Sequence, residues 1–213
     1  AIKNRWDLMP VMREARNAMS SVAVNRSNYR PKIGIVGEIY IRTNPFSNEN
    51  IIREIESLGG EVRIPPVSEW ILYTNFTSRR NSIKNRNYGK LLKSIFNMFF
   101  QYKDERSLEA LFHGAVRDLK EPTIRETLRE AASYVHDSFE GEAILSIGKS
   151  LDFIEKGVSG IINVMPFTCM PGTIVSAIMK RVRESKHNIP VLTMAFDGQQ
   201  QTNTRTRLEA FIY

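Results

Sequence analysis

Residues 32–65 decide the fold: Lys32-Ile-Gly-Ile-Val-Gly-Glu-Ile-Tyr-Ile41, then Arg42-Thr-Asn-Pro-Phe-Ser-Asn-Glu-Asn50, then Ile51-Ile-Arg-Glu-Ile-Glu-Ser-Leu58, then Gly59-Gly-Glu-Val-Arg-Ile-Pro65. The first run is short, apolar and rich in β-branched residues, the pattern of a strand buried in a parallel sheet. Asn44-Pro45-Phe46-Ser47-Asn48 is a turn that offers Ser47 or Asn48 as a helix cap. The helix that follows puts Ile51, Ile52, Ile55 and Leu58 on one face and stops at Gly59-Gly60. Residues 61–65 read as a second strand, ended by Pro65-Pro66. Strand, helix and strand make a βαβ unit, whose crossover is expected to be right-handed.

The same alternation returns near the other end. Residues 160–165 read as a strand, 166–172 as a loop, and 173–185 as a helix with Ile174, Ile178 and Val182 in register. Residues 190–196 read as the last strand and 202–213 as a final helix, with Arg205 and Arg207 in its first turns and Thr202 or Thr204 as cap. Four strands alternating with helices imply a Rossmann-like, flavodoxin-like α/β domain: a small, doubly wound parallel sheet flanked by helices. We expect this domain over 31–213, with a helical insertion at about 69–157 and a helical connector over 1–30.

The insertion holds four helical patterns. Leu91, Leu92, Ile95, Phe96, Phe99 and Phe100 form one, and Leu108, Leu111, Phe112, Ala115, Val116 and Leu119 another. A third opens at Glu121-Pro122, with Pro122 in a tolerated first-turn position, and carries Ile124, Leu128, Ala131, Ala132 and Val135. The fourth runs from Glu142 to Lys156. The connector places Trp6, Met9, Met12, Ala15 and Met19 at helical spacing. Both chain ends fall inside helical patterns, which points to a piece of a longer polypeptide.

Composition narrows the class. The chain has 213 residues, 42% of them hydrophobic and 25% charged, values of a globular domain rather than a disordered tail. No apolar run approaches the roughly 18 residues of a membrane span, and the start is not a signal peptide. One cysteine excludes a disulfide framework within the chain and suits a reducing cytoplasm. His113, His136 and His187 match no zinc spacing. We therefore expect a cytoplasmic protein with no membrane partner.

Charge is uneven along the chain. Residues 1–106 carry 18 Lys and Arg against 10 Asp and Glu, whereas residues 107–213 carry 12 against 13. Much of the excess lies in Arg79, Arg80, Lys84, Arg86, Lys90 and Lys93, with no acid among them. Such a run serves solubility as a solvated face, or favours an anionic partner: nucleic acid as the minor reading, a phosphate-bearing cofactor such as coenzyme A, or an acidic protein surface. Tyr88 is the one aromatic residue within it, so stacking of single-stranded nucleic acid is not expected.

Ligands of open α/β sheets collect beyond the carboxyl ends of the strands. Those ends supply Glu38, Arg42 and Asn44 after the first strand, Thr168, Cys169 and Gly172 after the third, and Asp197 after the fourth. Cys169 precedes a helix, where backbone amides and the helix dipole favour thiolate, the form that ligates iron–sulfur clusters. A small buried hydrophobe is the other reading of a lone cysteine. Glu38 and Asp197 suit acid or base work, and carboxylates at strand ends equally cap the next helix. Gly34-Ile-Val-Gly37 lies inside a strand, and neither a G-x-G-x-x-G loop before a helix nor a Walker loop is present, which argues against nicotinamide or ATP binding here.

Four segments also carry a family resemblance: Val164-Met-Pro-Phe-Thr-Cys-Met-Pro-Gly-Thr-Ile174, Phe196-Asp-Gly-Gln199, Thr204-Arg-Thr-Arg-Leu-Glu-Ala-Phe211 and Val36-Gly-Glu-Ile-Tyr-Ile-Arg-Thr-Asn-Pro-Phe46. Together they resemble the 2-hydroxyacyl-CoA dehydratase and benzoyl-CoA reductase superfamily, and most of all its large activase-related, double-cubane-cluster members. The resemblance runs from about residue 31 to the end and thins through the helical middle. It implies paired α/β domains that hold an iron–sulfur cluster, [4Fe–4S] or double cubane, by cysteine thiolates. It also implies an ATPase activator module that delivers low-potential electrons. Acyl-CoA and the remaining domain of the parent protein are further implied partners, and the paired domains imply a homodimer as one assembly. Only Cys169 maps onto a cluster-ligand position. Glu38 and Arg42 map onto the first strand-end loop, with Asn44 and Asp197 shaping the cleft. Because a cubane needs several thiolates, one cysteine cannot hold a cluster alone.

Overall fold

A computed structural model describes residues 8–24, 29–116, 120–198 and 203–213. The expected positions of Trp6, Leu119 and Thr202 lie outside the described residues. Four strands form one all-parallel sheet: β1 (Lys32–Gly37), β2 (Glu61–Arg63), β3 (Gly160–Pro166) and β4 (Val191–Phe196). Their order is β2-β1-β3-β4, so successive connections leave β1 and β3 in opposite directions. This is the doubly wound, Rossmann-like arrangement that the alternation of strand and helix implies.

The period-two alternation of side chains divides the core between two faces. On one face Ile33 and Ile35 of β1, Ile162 and Val164 of β3, and Met194 and Phe196 of β4 are buried together. They pack with Ile41 of α2 (Ile39–Thr43), Ile51 and Ile55 of α3 (Ile51–Ser57), and Leu208 of α9 (Thr204–Ile212). The other face is covered by α7 (Glu142–Glu155) and α8 (Met170–Ser185), with α6 (Ile124–Ala131) packed on α7. Residues 143–151 of α7 are all buried, as expected of a helix set between a sheet and neighbouring helices.

Strands and caps differ locally from the sequence reading. The segment read as a strand to Ile41 stops at Gly37, and Glu38 caps the short helix α2. The turn at 44–48 does not cap α3 at Ser47 or Asn48. Its cap residue is Asn50, with φ 56°, and the Asn48 side chain still accepts from the Ile51 N–H at 3.3 Å. At α6 the cap is Thr123, so Pro122 lies before the helix rather than in its first turn. There Thr123 and Glu126 form a reciprocal capping box. Asn203 occupies the cap position of α9, while the Thr204 hydroxyl donates to Glu49 at 2.7 Å.

The chain divides into two compact units, 29–67 with 122–213, and 1–28 with 68–121. The first contains the sheet, and α6 and α7 belong to it. In the second, α1 (Leu8–Ser20) packs on α5 (Tyr88–Phe112), and side-chain hydrogen bonds join α5 to α4 (Val67–Lys84). α5 is a single helix through residues 91–112, where the sequence suggested two. No Gly or Pro interrupts Gln101–Arg106, so nothing breaks the helix there. The Ser94 hydroxyl donates to the Asn75 carbonyl at 3.0 Å, and the Asn75 amide donates to Gln101 at 2.6 Å.

Candidate functional site

The carboxyl ends of β1 and β3 lie side by side where the winding reverses, the place at which this fold gathers ligands. Gly37 makes the junction. Its φ is +111°, and a Cβ there would lie 2.0 Å from the Val164 carbonyl oxygen. A glycine alone lets the chain turn so close to β3, and the next N–H, that of Glu38, donates to Val164 O at 2.9 Å.

The residues expected to face the cleft from this end are turned to local structural work. The Glu38 carboxylate accepts from the Ile41 N–H at 2.6 Å and caps α2. The Glu142 carboxylate, arriving from α7, accepts from the Ile39 N–H at 3.1 Å. Partial burial raises the Glu142 pKa above the ordinary carboxylate value. The Ile39 N–H opposes that rise, the nearby Glu38 charge adds to it, and Arg42 opposes it. Arg42 is only 5% exposed and donates from Nη1 to the Gly37 carbonyl at 3.4 Å. The Asn44 side chain accepts from the Phe46 and Ser47 N–H groups at 3.0 and 3.2 Å, closing the turn.

The β3 end is built differently. Phe167 N–H donates to Phe196 O at 2.7 Å, tying the loop to β4. Thr168 is left-handed, with φ 67°. Cys169 is the N-cap of α8: its Sγ accepts from the Gly172 N–H at 3.4 Å, and Pro171 occupies the first turn. The thiol is half-buried. A Cβ on Gly172 would meet the Met165 side chain at 2.5 Å, so this residue lets α8 lie against β3. The Asn163 amide, fully buried in β3, donates to Gly172 O at 3.2 Å and to Ser176 Oγ at 3.1 Å. Its Oδ1 has no hydrogen-bond partner among the described residues.

Beyond β3 and β4 opens a cleft of about 800 Å³, lined among others by Ile41, Phe46, Glu49, Phe167, Phe196 and Asp197. Of the site residues expected from sequence, Asp197 alone lines it. Glu38, Arg42, Asn44, Thr168, Cys169 and Gly172 do not. The reading missed Phe46, Glu49 and Phe167. Phe46 is 93% exposed and Phe167 67%. Aromatic residues in the turn 44–48 and in the loop after β3 were the available signal. Glu49 and Asn50 are both left-handed, with φ 54° and 56°. Two carboxylates and no Lys or Arg are among its described lining residues, so that part of the wall does not favour a phosphate.

Comparison with family models, with curated proteins and with solved structures finds no match to the chain. The donors present fit one corner of an iron–sulfur cluster and not a whole one. Cys169 is the one thiol, and no group of three or more His, Cys, Asp or Glu side chains able to hold a metal gathers among the described residues.

Proposed function

We propose that this chain is a domain of an iron–sulfur protein of the acyl-CoA dehydratase and reductase type, or of its activase-related kin. It forms one wall of a cluster site used in ATP-dependent low-potential electron transfer, and Cys169 supplies one thiolate. The observation that carries this reading is the setting of Cys169. It lies just past the carboxyl end of β3, half-buried at the first turn of α8, between Phe167 and Met170, which are 67% and 70% exposed. Exposed apolar side chains on both sides of a ligand-type residue suit a face that closes against another surface. The remaining thiolates then come from the other domain of the intact cytoplasmic protein or from a second copy.

A cluster held there would carry the low-potential electron passed on by the activator. This chain's residues do the rest. The amide at Gly172 donates to the sulfur and holds its orientation. Phe167 and Met170 exclude water once the opposing surface closes, and an ATPase activator delivers the electron to that closed face.

Iron and acid-labile sulfide measured in the intact protein, purified without oxygen, test this reading. Both are expected in the wild type and sharply lower in Cys169→Ser. Absence of iron after anaerobic reconstitution overturns it. One observation favours a second reading, a docking domain for the activator: the same sulfur already serves as a helix cap, a purely structural task. That reading expects activator binding unchanged by Cys169→Ser and no iron in either protein. A cluster-free CoA-binding domain draws no support from the cleft, whose wall carries Glu49 and Asp197.

A further inference from the structure

The first half of α5 has an unusual surface. Tyr88, Leu92, Phe96 and Phe99 are 69%, 58%, 61% and 63% exposed, and Ile95 and Phe100 are exposed beside them. Their spacing of three and four residues places them along one stripe, about 17 Å from Tyr88 to Phe99 at the rise of an α-helix. The stripe does not belong to the contact with α4. That contact uses Ser94 and Gln101, and Phe99 lies about 140° around the helix from Ser94.

The same part of the chain lacks acids. From residue 70 to residue 103 there is no Asp or Glu, while Arg79, Arg80, Lys84, Arg86, Lys90, Lys93 and Lys103 supply seven cations. Tyr88 to Phe100 therefore form an apolar ridge bordered on the Phe100 side by Lys93 and Asn97, with Lys90 on the opposite, polar face, at the end of a basic helical hairpin. This is the pattern of a helix that lies in a bilayer interface, apolar side chains sunk among the acyl chains and cations at the level of anionic headgroups.

We infer that the Tyr88–Phe100 stripe of α5 attaches this protein to an anionic membrane surface. Charge weighs against a second copy as occupant, because each copy carries seven cations and no acid over residues 70–103 and the two would repel. An acidic protein segment would match the charge but must also carry sockets fitted to protruding aromatic rings. A bilayer accepts them without a fitted surface. No described helix is long and apolar enough to cross a membrane. The expectation of no membrane partner rests on that criterion, which does not bear on a helix lying along the surface. The inference is independent of the cluster reading.

Co-sedimentation of the intact protein with vesicles tests it, using phosphatidylcholine alone and with about 30% phosphatidylserine. Binding is expected to the anionic vesicles only and to weaken with added salt. The double substitution Phe96→Ser and Phe99→Ser is expected to lower partitioning about tenfold, and so is Lys90→Glu with Lys93→Glu. Circular dichroism of each variant checks the fold, and Leu92→Ser serves as a milder substitute if a double variant unfolds. Failure of the folded wild type to sediment with anionic vesicles overturns the inference. Binding indifferent to the apolar substitutions also overturns it, and assigns the cations to a polyanion such as an acidic protein segment. A lipid-free dimer dissolved by the Phe substitutions overturns it in favour of a second copy.

Discussion

Gly37 and Glu142 show how much of the sheet's carboxyl edge rests on single residues. At Gly37 a methyl group has nowhere to go, because the obstructing atom is the backbone oxygen of Val164 and φ is +111°. Gly37→Ala should cost about 3 kcal/mol in a denaturant titration, from positive-φ strain and the displaced strand end together. Glu142 is held at the start of α7 by the Ile39 N–H, close to Glu38 and Arg42, and burial keeps its folded pKa above the ordinary carboxylate value. A carboxyl whose folded pKa is raised binds its proton more tightly when folded. Its contribution to stability is therefore full below the unfolded pKa and is lost as pH rises through the folded one. Glu142→Gln retains an acceptor for Ile39 without the charge. It should melt higher than wild type at neutral pH, and the gap should close in acid. A gap that persists in acid would assign the effect to packing. At this scale sequence foretold residue types well and their directions poorly. Glu38 and Arg42 stand where a strand-end site would put them, yet one caps α2 and the other turns inward to Gly37. Capping was one of the two readings open for Glu38, whereas the inward turn of Arg42 was not legible, because it follows from the turn at Gly37, which depends on contact with β3.

Helix ends carry the next set of consequences. Cys169 caps α8 through a sulfur, a weaker acceptor than a hydroxyl oxygen. Cys169→Ser should preserve the cap and leave stability within about 1 kcal/mol of wild type, which makes it a clean probe of ligation. Cys169→Ala removes the acceptor and should be the less stable of the two on thermal melting. At α6, Thr123→Ala breaks a complete capping box and should cost about 1 kcal/mol by chemical denaturation. Strong periodicity made α3, α7, α8 and all four strands readable from sequence. Boundaries were less so: β1 gave up Ile39–Ile41 to α2, and the polar stretch 101–106 hid the continuity of α5. Periodicity reports which face is buried, whereas a boundary is set by one or two caps.

In the whole molecule, all four strands and the named buried cluster come from 29–67 and 122–213. Replacing 68–121 by a flexible Gly/Ser linker should therefore leave the sheet folded, with slow amide exchange in β1 and β3. Loss of that protection would mean that the helical unit is needed for the sheet to form. The doubly wound order was legible because alternating strands and helices admit few topologies. The cleft wall was not, because Phe46 and Glu49 of one turn meet Phe167 of another only after both are folded. The proposal that the carboxyl end of β3 forms a cluster wall rests on Cys169, and a thiol bound to iron cannot be alkylated. The decisive measurement is the extent of Cys169 alkylation in the intact protein, purified without oxygen, before and after iron is stripped by chelator and oxidant. The account predicts a protected thiol that becomes reactive once the iron is gone. Equal alkylation of the folded protein before and after stripping would contradict it.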